Sequence, residues 1–423
     1  MDILESVSIL QIIYQIGSLS PWLVDRSTWS LKRCRLLEVY TCLVILVSTA
    51  LLLYGLFADD VLIKVNAHEI GETVDLIQLV GIRVSHIVSI TEALVRKQEQ
   101  KRFYDQLKEI DGIFEKRLNV NVNNGKFRRL TITRGVLMLC VYIVSEGFIL
   151  TTHMISTEKE SFYTYWIFYM MPLLICGLRY FQMFTAVQMI KRRFDKLILV
   201  LNEINLIKPD VTPVDTVKND IFYKTMEPVK SVAHSTFTLL ELSLQKQNKR
   251  HNVENPDMKR LLIIRDLYNR LYLMTGILNR FFGISMLVNL GNDFISITSN
   301  CYWIFINFKN FAATTQDFLQ IAGSAVWSVP HLLNVLILAI LCERTVQSTT
   351  SIALGLHRIN IDTMNDNHNS VIQQFSLQLL HQKMAITAAG FFNIDCSLLY
   401  TIVGSTTTYL IILIQFHLSE TES

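Results

Sequence analysis

Residues 396–416 read CSLLYTIVGSTTTYLIILIQF. The run carries no charge and is long enough to cross a hydrocarbon core of about 30 Å as a helix. Thr401, Ser405, Thr408, Ile412 and Gln415 recur within it at steps of four, three, four and three, which on a helix makes one continuous stripe. A helix facing only lipid gains nothing from such a stripe. Two readings remain open at this point. Small polar residues can pack helix on helix. Alternatively, copies of the stripe can ring the axis of a symmetric assembly, with hydroxyls lining a wet vestibule, Ile412 an apolar constriction and Gln415 a ring of neutral dipoles. A ring without Asp or Glu predicts weak discrimination among small cations.

The rest of the chain has the same character. Its 423 residues are 51% hydrophobic and 18% charged, with a mean hydropathy of +0.33, whereas soluble proteins carry about a quarter of charged residues. Six further apolar stretches fall at about 38–58, 70–95, 131–152, 162–190, 276–306 and 322–343. With 396–416 they predict an all-α protein of seven membrane spans. Lys and Arg number 4 in residues 1–37, 10 in 96–130, 15 in 191–275 and 3 in 344–395; the alternate connections hold only Lys64, Lys159 and Lys309. The positive-inside rule then places the N-terminus in the cytosol and the C-terminus outside.

That orientation is the reverse of a G-protein-coupled receptor. Asp25-Arg26 precedes the first span instead of ending the third, and the last span has no NPxxY. No repeat relates the halves, and matched Pro or Gly breaks are few, so a secondary transporter is disfavoured. Residues 1–37 form a cytosolic N-terminal segment whose MDILESVSILQIIYQIG lacks the basic start of a signal peptide and reads as a short amphipathic helix. Residues 97–130, 191–275 and 344–395 form cytosolic extensions. In the first, Phe103, Leu107, Ile110 and Phe114 recur at helical spacing. Residues 208–258 are polar, with Pro209, Pro213, Pro228 and Pro256, and partial disorder is expected there. Residues 417–423 form an extracellular tail. A net charge of +3 gives no case for nucleic acid. Seven cysteines without a CxxC read as small buried hydrophobes.

Thr408-Tyr409, five apolar residues and Gln415-Phe416 resemble the TYhhhhhQF ending of insect gustatory receptors. Gly390-Phe391-Phe392-Asn393-Ile394-Asp395 and Ser397-Leu398-Leu399 resemble the lead-in to that ending. Topology, length and the long fourth-to-fifth-span loop agree over the whole chain. The resemblance implies a homotetrameric, ligand-gated, non-selective cation channel in the plasma membrane of sensory neurons. Its subunits assemble with themselves, or with related receptor subunits, through a cytosolic anchor domain. It also implies that Gln415 and Phe416 stand at the outer gate with Ile412 below, and that an external small-molecule tastant binds among spans two to six. Many sugar-receptor members carry Glu after the Thr-Tyr pair. Leu410 stands there in this chain, which speaks against the main sugar clade and leaves a bitter or noxious compound, the favoured class, a fructose-type sugar or a nucleoside. The alternatives are an odorant-type subunit that conducts only with a partner and a non-conducting or metabotropic chemoreceptor.

Candidate ligand residues lie near the outer ends of spans four to six: Trp166, Tyr169, Asn300, Tyr302, Trp303, Trp327 and His331. Aromatic faces suit flat or ring-shaped ligands, with a few polar groups fixing orientation. Trp and Tyr also form belts at every membrane interface. Trp327 lies deeper in its span and resembles a pocket tryptophan of the family. Asp75, Arg83, Glu92, Arg134, Glu146, Arg179 and Asp293 are ionisable residues within spans and need partners or a task. His331 reads as a hydrogen-bonded packing residue, because no second His or Cys stands at metal-ligand spacing. No P-loop, HExxH or GxSxG occurs, so no enzyme, metal or cofactor is expected.

Overall fold

The computed structural model of the chain describes residues 2–57, 69–156, 162–206, 256–309, 315–359 and 366–422. Among them, seven helices are long and apolar enough to cross a membrane. In chain order the elements are α1 (Ile3–Ser6), α2 (Ser8–Ile16), β1 (Trp22–Asp25), β2 (Ser30–Arg33), α3 (Arg35–Phe57), α4 (Glu69–Val95), α5 (Lys97–Leu118), α6 (Asn124–Ser156), α7 (Phe162–Tyr165), a π-helical turn (Trp166–Met170) and α8 (Met171–Leu206). Then come α9 (Pro256–Lys309), α10 (Thr315–His357), α11 (Asp366–His381), β3 (Thr387–Ala388), β4 (Phe392–Asn393) and α12 (Cys396–Glu422). Most of the stretch rich in proline, through residue 255, lies outside the described residues; Pro256 opens α9, where its missing N–H costs nothing.

The spans are the apolar middles of longer helices. α9 runs for 54 residues and α10 for 43, well past the limits of 276–306 and 322–343. α12 likewise continues through Glu422, so the expected tail is helical that far, and His417 is buried. α8 is the central post, and α4, α9 and α10 pack around it. α3 and α6 stand at the periphery, with rows of exposed apolar side chains such as Leu43, Leu46 and Leu53 on α3 and Val136, Leu139 and Val144 on α6.

The extensions of α8, α9 and α10 gather into a helical base. α5 joins it through Phe103, Leu107, Ile110 and Phe114, all buried on one face. Asn119 ends α5 in the left-handed region (φ 54°), where its N–H caps the Phe114 carbonyl. Ile3, Leu4, Val7, Leu10 and Tyr14 of α1 and α2 are buried in the same core. Ile9, Ile12, Ile13 and Ile16 remain outside, and the Tyr40 hydroxyl of α3 donates to the Ile16 carbonyl at 2.9 Å. The outer apolar row of α2 therefore continues the apolar flank of α3, as an interfacial helix requires.

Two antiparallel hairpins are the β-structure among the described residues. The second shapes the entry to α12. Ala389 (φ 52°) and Gly390 (φ 81°) turn the chain between β3 and β4. Asp395 then accepts from the Ser397 amide at 2.9 Å as the helix begins. This hairpin lies on α9 at Gly283, where an added Cβ would come within 3.1 Å of the Ala389 backbone.

Candidate ligand pocket and conduction helix

Helical spacing places Tyr165 and Tyr169 one turn apart across the π-helical turn, and Trp327 and His331 one turn apart on α10. The fold brings these pairs together. Tyr165 and Tyr169 stack at 5.8 Å, and Trp327 meets them edge-on at 6.1 and 6.2 Å. The His331 ring lies 6.4 Å from Trp327. Pro330, between them, lacks the N–H that would bond the Val326 carbonyl.

Polar partners surround the aromatic cluster. The Tyr165 hydroxyl donates to Glu146 at 2.7 Å. Asp293 lies 2.7 Å from His331 Nδ1 and accepts from the Tyr180 hydroxyl at 2.5 Å. On the far side, Arg83 stands over the Phe168 ring at 4.6 Å and donates to the Ile167 carbonyl. Yet Trp327 Nε1 and His331 Nε2 have no hydrogen-bond partner among the described residues, although Trp327 is 8% and His331 0% exposed. Leaving buried polar groups unpaired costs roughly 1–3 kcal/mol each. The two atoms lie one helical turn apart beside the stacked aromatics.

Between the aromatic cluster and the base lies a second polar node. Glu92 pairs with Arg179 at 3.2 Å and accepts from the Ile284 and Ser285 amides of α9 at 3.0 and 2.8 Å. The Arg280 and Phe281 carbonyls, which those amides face in an unbroken helix, accept from Arg96 and Arg179. Side chains of α4 and α8, with Arg96 at the junction of α4 and α5, thus bond backbone groups of α9 within little more than one turn, the kind of contact at which a long helix can hinge, while the helix itself runs unbroken from Pro256 to Lys309. Gly283, under the hairpin that leads into α12, sits inside this interval.

α12 packs on α9 and α10 through one flank, with Thr406 and His417 buried and Leu410 and Leu413 packed beside Tyr302. Its stripe points elsewhere. Thr401, Thr408, Ile412, Gln415 and Phe416 are exposed and Ser405 half-buried. Thr401 and Thr408 return their hydroxyl protons to carbonyls four residues back. Their oxygen lone pairs stay available to water.

The chain matches the family described as 7tm Chemosensory receptor over residues 8–420. It is 42% identical to gustatory receptor 2a of Drosophila melanogaster over 449 residues, covering 99% of this chain and 98% of that one. The chain belongs to the insect gustatory receptor family. Its fold is similar to that of the insect olfactory receptor OR5 from Machilis hrabei, solved alone (TM-score 0.63) and in complex with eugenol (0.62). Identity there is 13%, over 97% of this chain and 98% of that one.

Within this receptor the ligand residues singled out from the sequence separate into four places. Tyr169, Trp327 and His331 converge. Tyr302 and Trp303 do not join them: they cluster with Val74 and Ile306 against Leu410 and Leu413 of α12. The Tyr302 hydroxyl lies 3.3 Å from His417, and Trp303 donates to Asp75 at 3.0 Å. These two aromatics face α12 because the apolar flank of α9 packs against it there. Asn300 is buried and donates to the Ser296 carbonyl at 2.6 Å. Trp166 is 40% exposed on the outside of the π-helical turn, the position of a belt residue. Tyr165 joins the aromatic cluster, and Tyr180 the hydrogen bonds on Asp293, without having been singled out from the sequence; Tyr165, four residues before Tyr169, has the spacing that could reveal it. Of the ionisable residues in spans, Glu92 and Arg179 form a charge pair, while Asp75, Arg83, Glu146 and Asp293 are held by neutral hydrogen-bonding groups or by His331.

Proposed function

We propose that four copies of this receptor form a non-selective cation channel opened by an external small-molecule tastant, with α12 of each subunit around the axis. The carrying observation is the exposed stripe on α12, whose most apolar window is 0% buried by its own subunit. Apolar exposure alone fits lipid; an exposed row of hydroxyls and an amide fits water. In this arrangement the base is cytosolic, as the distribution of Lys and Arg supports. Gln415 and Phe416 form the outer gate with Ile412 beneath them.

The tastant occupies the surface formed by Tyr165, Tyr169, Trp327 and His331, and its class is a bitter or noxious aromatic compound. Stacked rings and two unpaired buried nitrogens suit a flat molecule with one or two polar groups better than a sugar, whose many hydroxyls need a matching set of partners. A ligand preferring the open arrangement by a few kcal/mol is enough to shift the population. The hinge at Arg280–Ser285 and the hairpin resting on Gly283 carry the shift to α12.

Expressing the chain alone and recording currents during application of aromatic bitter compounds tests the proposal. A ligand-evoked cation current altered by Ile412→Ala and Gln415→Ala is expected. Currents that appear only with a co-expressed relative would replace the homotetramer by a mixed assembly. Tags showing an external N-terminus would remove the channel reading.

A further inference from the structure

A cavity of about 460 Å³ lies between α6, α8 and α10; none of the clustered aromatics lines it, although its end at Pro330 lies next to them in the chain. Antiparallel packing fixes its register. Asn334 of α10 donates to the Tyr142 hydroxyl of α6 at 2.7 Å. Counting from that bond in opposite directions along the two helices, eight residues to Arg134 and ten to Arg344, brings the two arginines to within about 3 Å of the same level, and Gln188 of α8 joins them. All three line the cavity. Its opposite end, at Pro330, lies 14 residues from Arg344 along α10, or about 21 Å at 1.5 Å per residue. Between the two ends the wall is apolar except for Thr185 and the Asn334–Tyr142 pair, which bond within the protein.

Each guanidinium is exposed and has neither an ion-pair nor a hydrogen-bond partner among the described residues. Nor does the adjacent carboxylate quench Arg344. Glu343 is committed to the Cys396 amide at 3.1 Å and to Gln347 at 2.9 Å, on the α12 side of the helix. Free arginines at a membrane boundary above an apolar slot call for an amphiphile with an anionic head. Half a hydrocarbon core is about 15 Å, so a slot of this length takes a chain that enters from one leaflet. Basic pockets between membrane helices on the cytosolic side commonly receive anionic lipid head groups.

We propose that this cavity is a binding site for an anionic phospholipid, its phosphate held by Arg134, Gln188 and Arg344 and one acyl chain lying in the slot beside Ile337. The assignment to the cytosolic leaflet rests on the orientation given above; the site itself does not. Because α8 forms both this wall and the Glu92–Arg179 node, the lipid bears on the same post that supports the hinge.

The test uses the full-length receptor, purified in detergent and exposed to phosphatidylserine or phosphatidylcholine with identical acyl chains, bound lipid being counted by native mass spectrometry. Preferential retention of phosphatidylserine is expected, falling about fivefold with Arg134→Gln and with Arg344→Gln, as loss of one basic contact implies. Ile337→Trp, which fills the slot and leaves both arginines in place, is expected to lower retention of phosphatidylserine as well. Arg134→Lys should keep most of the binding, which separates loss of charge from misfolding. Arg358→Gln, the same change just beyond the end of α10, should leave retention unaltered. Equal retention of the two lipids, an equal fall in Arg358→Gln, or indifference to Ile337→Trp would each overturn the site. So would displacement of the lipid by the activating tastant. An external N-terminus found by tag accessibility, with lipid binding intact, would overturn the orientation and leave the site standing.

Discussion

α8 and α12 are both long and apolar enough to cross a membrane, yet most of the α8 span is buried in the protein and the α12 span is left almost wholly uncovered, Thr406 and His417 excepted. Their polar residues differ in the same sense. Arg179 of α8 reaches Glu92, Ser285, Gln182 and the Phe281 carbonyl, Tyr180 reaches Asp293, and Arg193 reaches Asp111. On α12, Thr401, Thr407 and Thr408 bond only their own helix. Composition alone does not separate a buried post from a helix left open along one side. The destination of the polar groups does: in α8 they end inside the chain, whereas on α12 Thr406 and His417 reach α9 and the exposed Thr401, Thr407 and Thr408 return to their own helix.

The largest effect expected on the α8 side comes from Glu92→Ala, which leaves Arg179 buried without a counter-charge. Removing one partner of such a pair costs about 3–5 kcal/mol. Arg179→Met should cost less, because Glu92 keeps its two amide donors on α9. Heating detergent extracts before size-exclusion chromatography measures this: Glu92→Ala should lose its oligomeric peak at temperatures the wild type survives. A peak as heat-resistant as wild type would mean that α8 is not held from within.

Next in size is the contrast between Trp327 and Tyr302. Trp327→Ala removes a central aromatic surface of the pocket, and buried aromatic anchors are worth about 2 kcal/mol, roughly a thirtyfold rise in the half-activating concentration. Tyr302→Ala should instead change the resting current with little effect on that concentration, since Tyr302 lies against α12 and not in the pocket. Concentration–response curves for the two variants separate the roles; matching shifts would merge the two clusters into one site.

Much of this division is legible in the amino-acid sequence. Each span shows as about 20 apolar residues, and the α12 stripe and the Trp327–His331 pair show as helical spacings. The rotation of α9 does not show. Tyr302 and Trp303 sit in a run apolar on all sides, SNCYWIFINF, so periodicity offers no preferred face, and packing against Leu410 and Leu413 decides it. The polar node on α9 is equally hidden. Arg179, Arg96 and Glu92 reach α9 from 102, 184 and 192 positions away, and the sequence around Gly283 reads as unbroken helix. The hairpin at 387–393 depends on two positive-φ residues, of which only Gly390 announces itself.

On α12 itself, Ile412→Ala should raise the resting leak by widening an apolar constriction, and Gln415→Glu should raise the permeability to calcium relative to sodium by adding charge to a neutral ring. Reversal potentials under bi-ionic conditions read the second effect. Indifference of both currents would return α12 to a packing role.

The smallest effect is expected at Trp166. Its ring is exposed on the outside of the π-helical turn, one residue from Tyr165 in sequence but not packed in the cluster that Tyr165 forms with Tyr169 and Trp327. If it only anchors the helix at the interface, Trp166→Ala should move the half-activating concentration by no more than about twofold, the usual range for surface substitutions. A shift as large as that of Trp327→Ala would show that the ligand also touches the outer flank of this turn. The pocket would then open toward lipid, and the line between inward-looking and outward-looking helices would have to be redrawn through the π-helical turn.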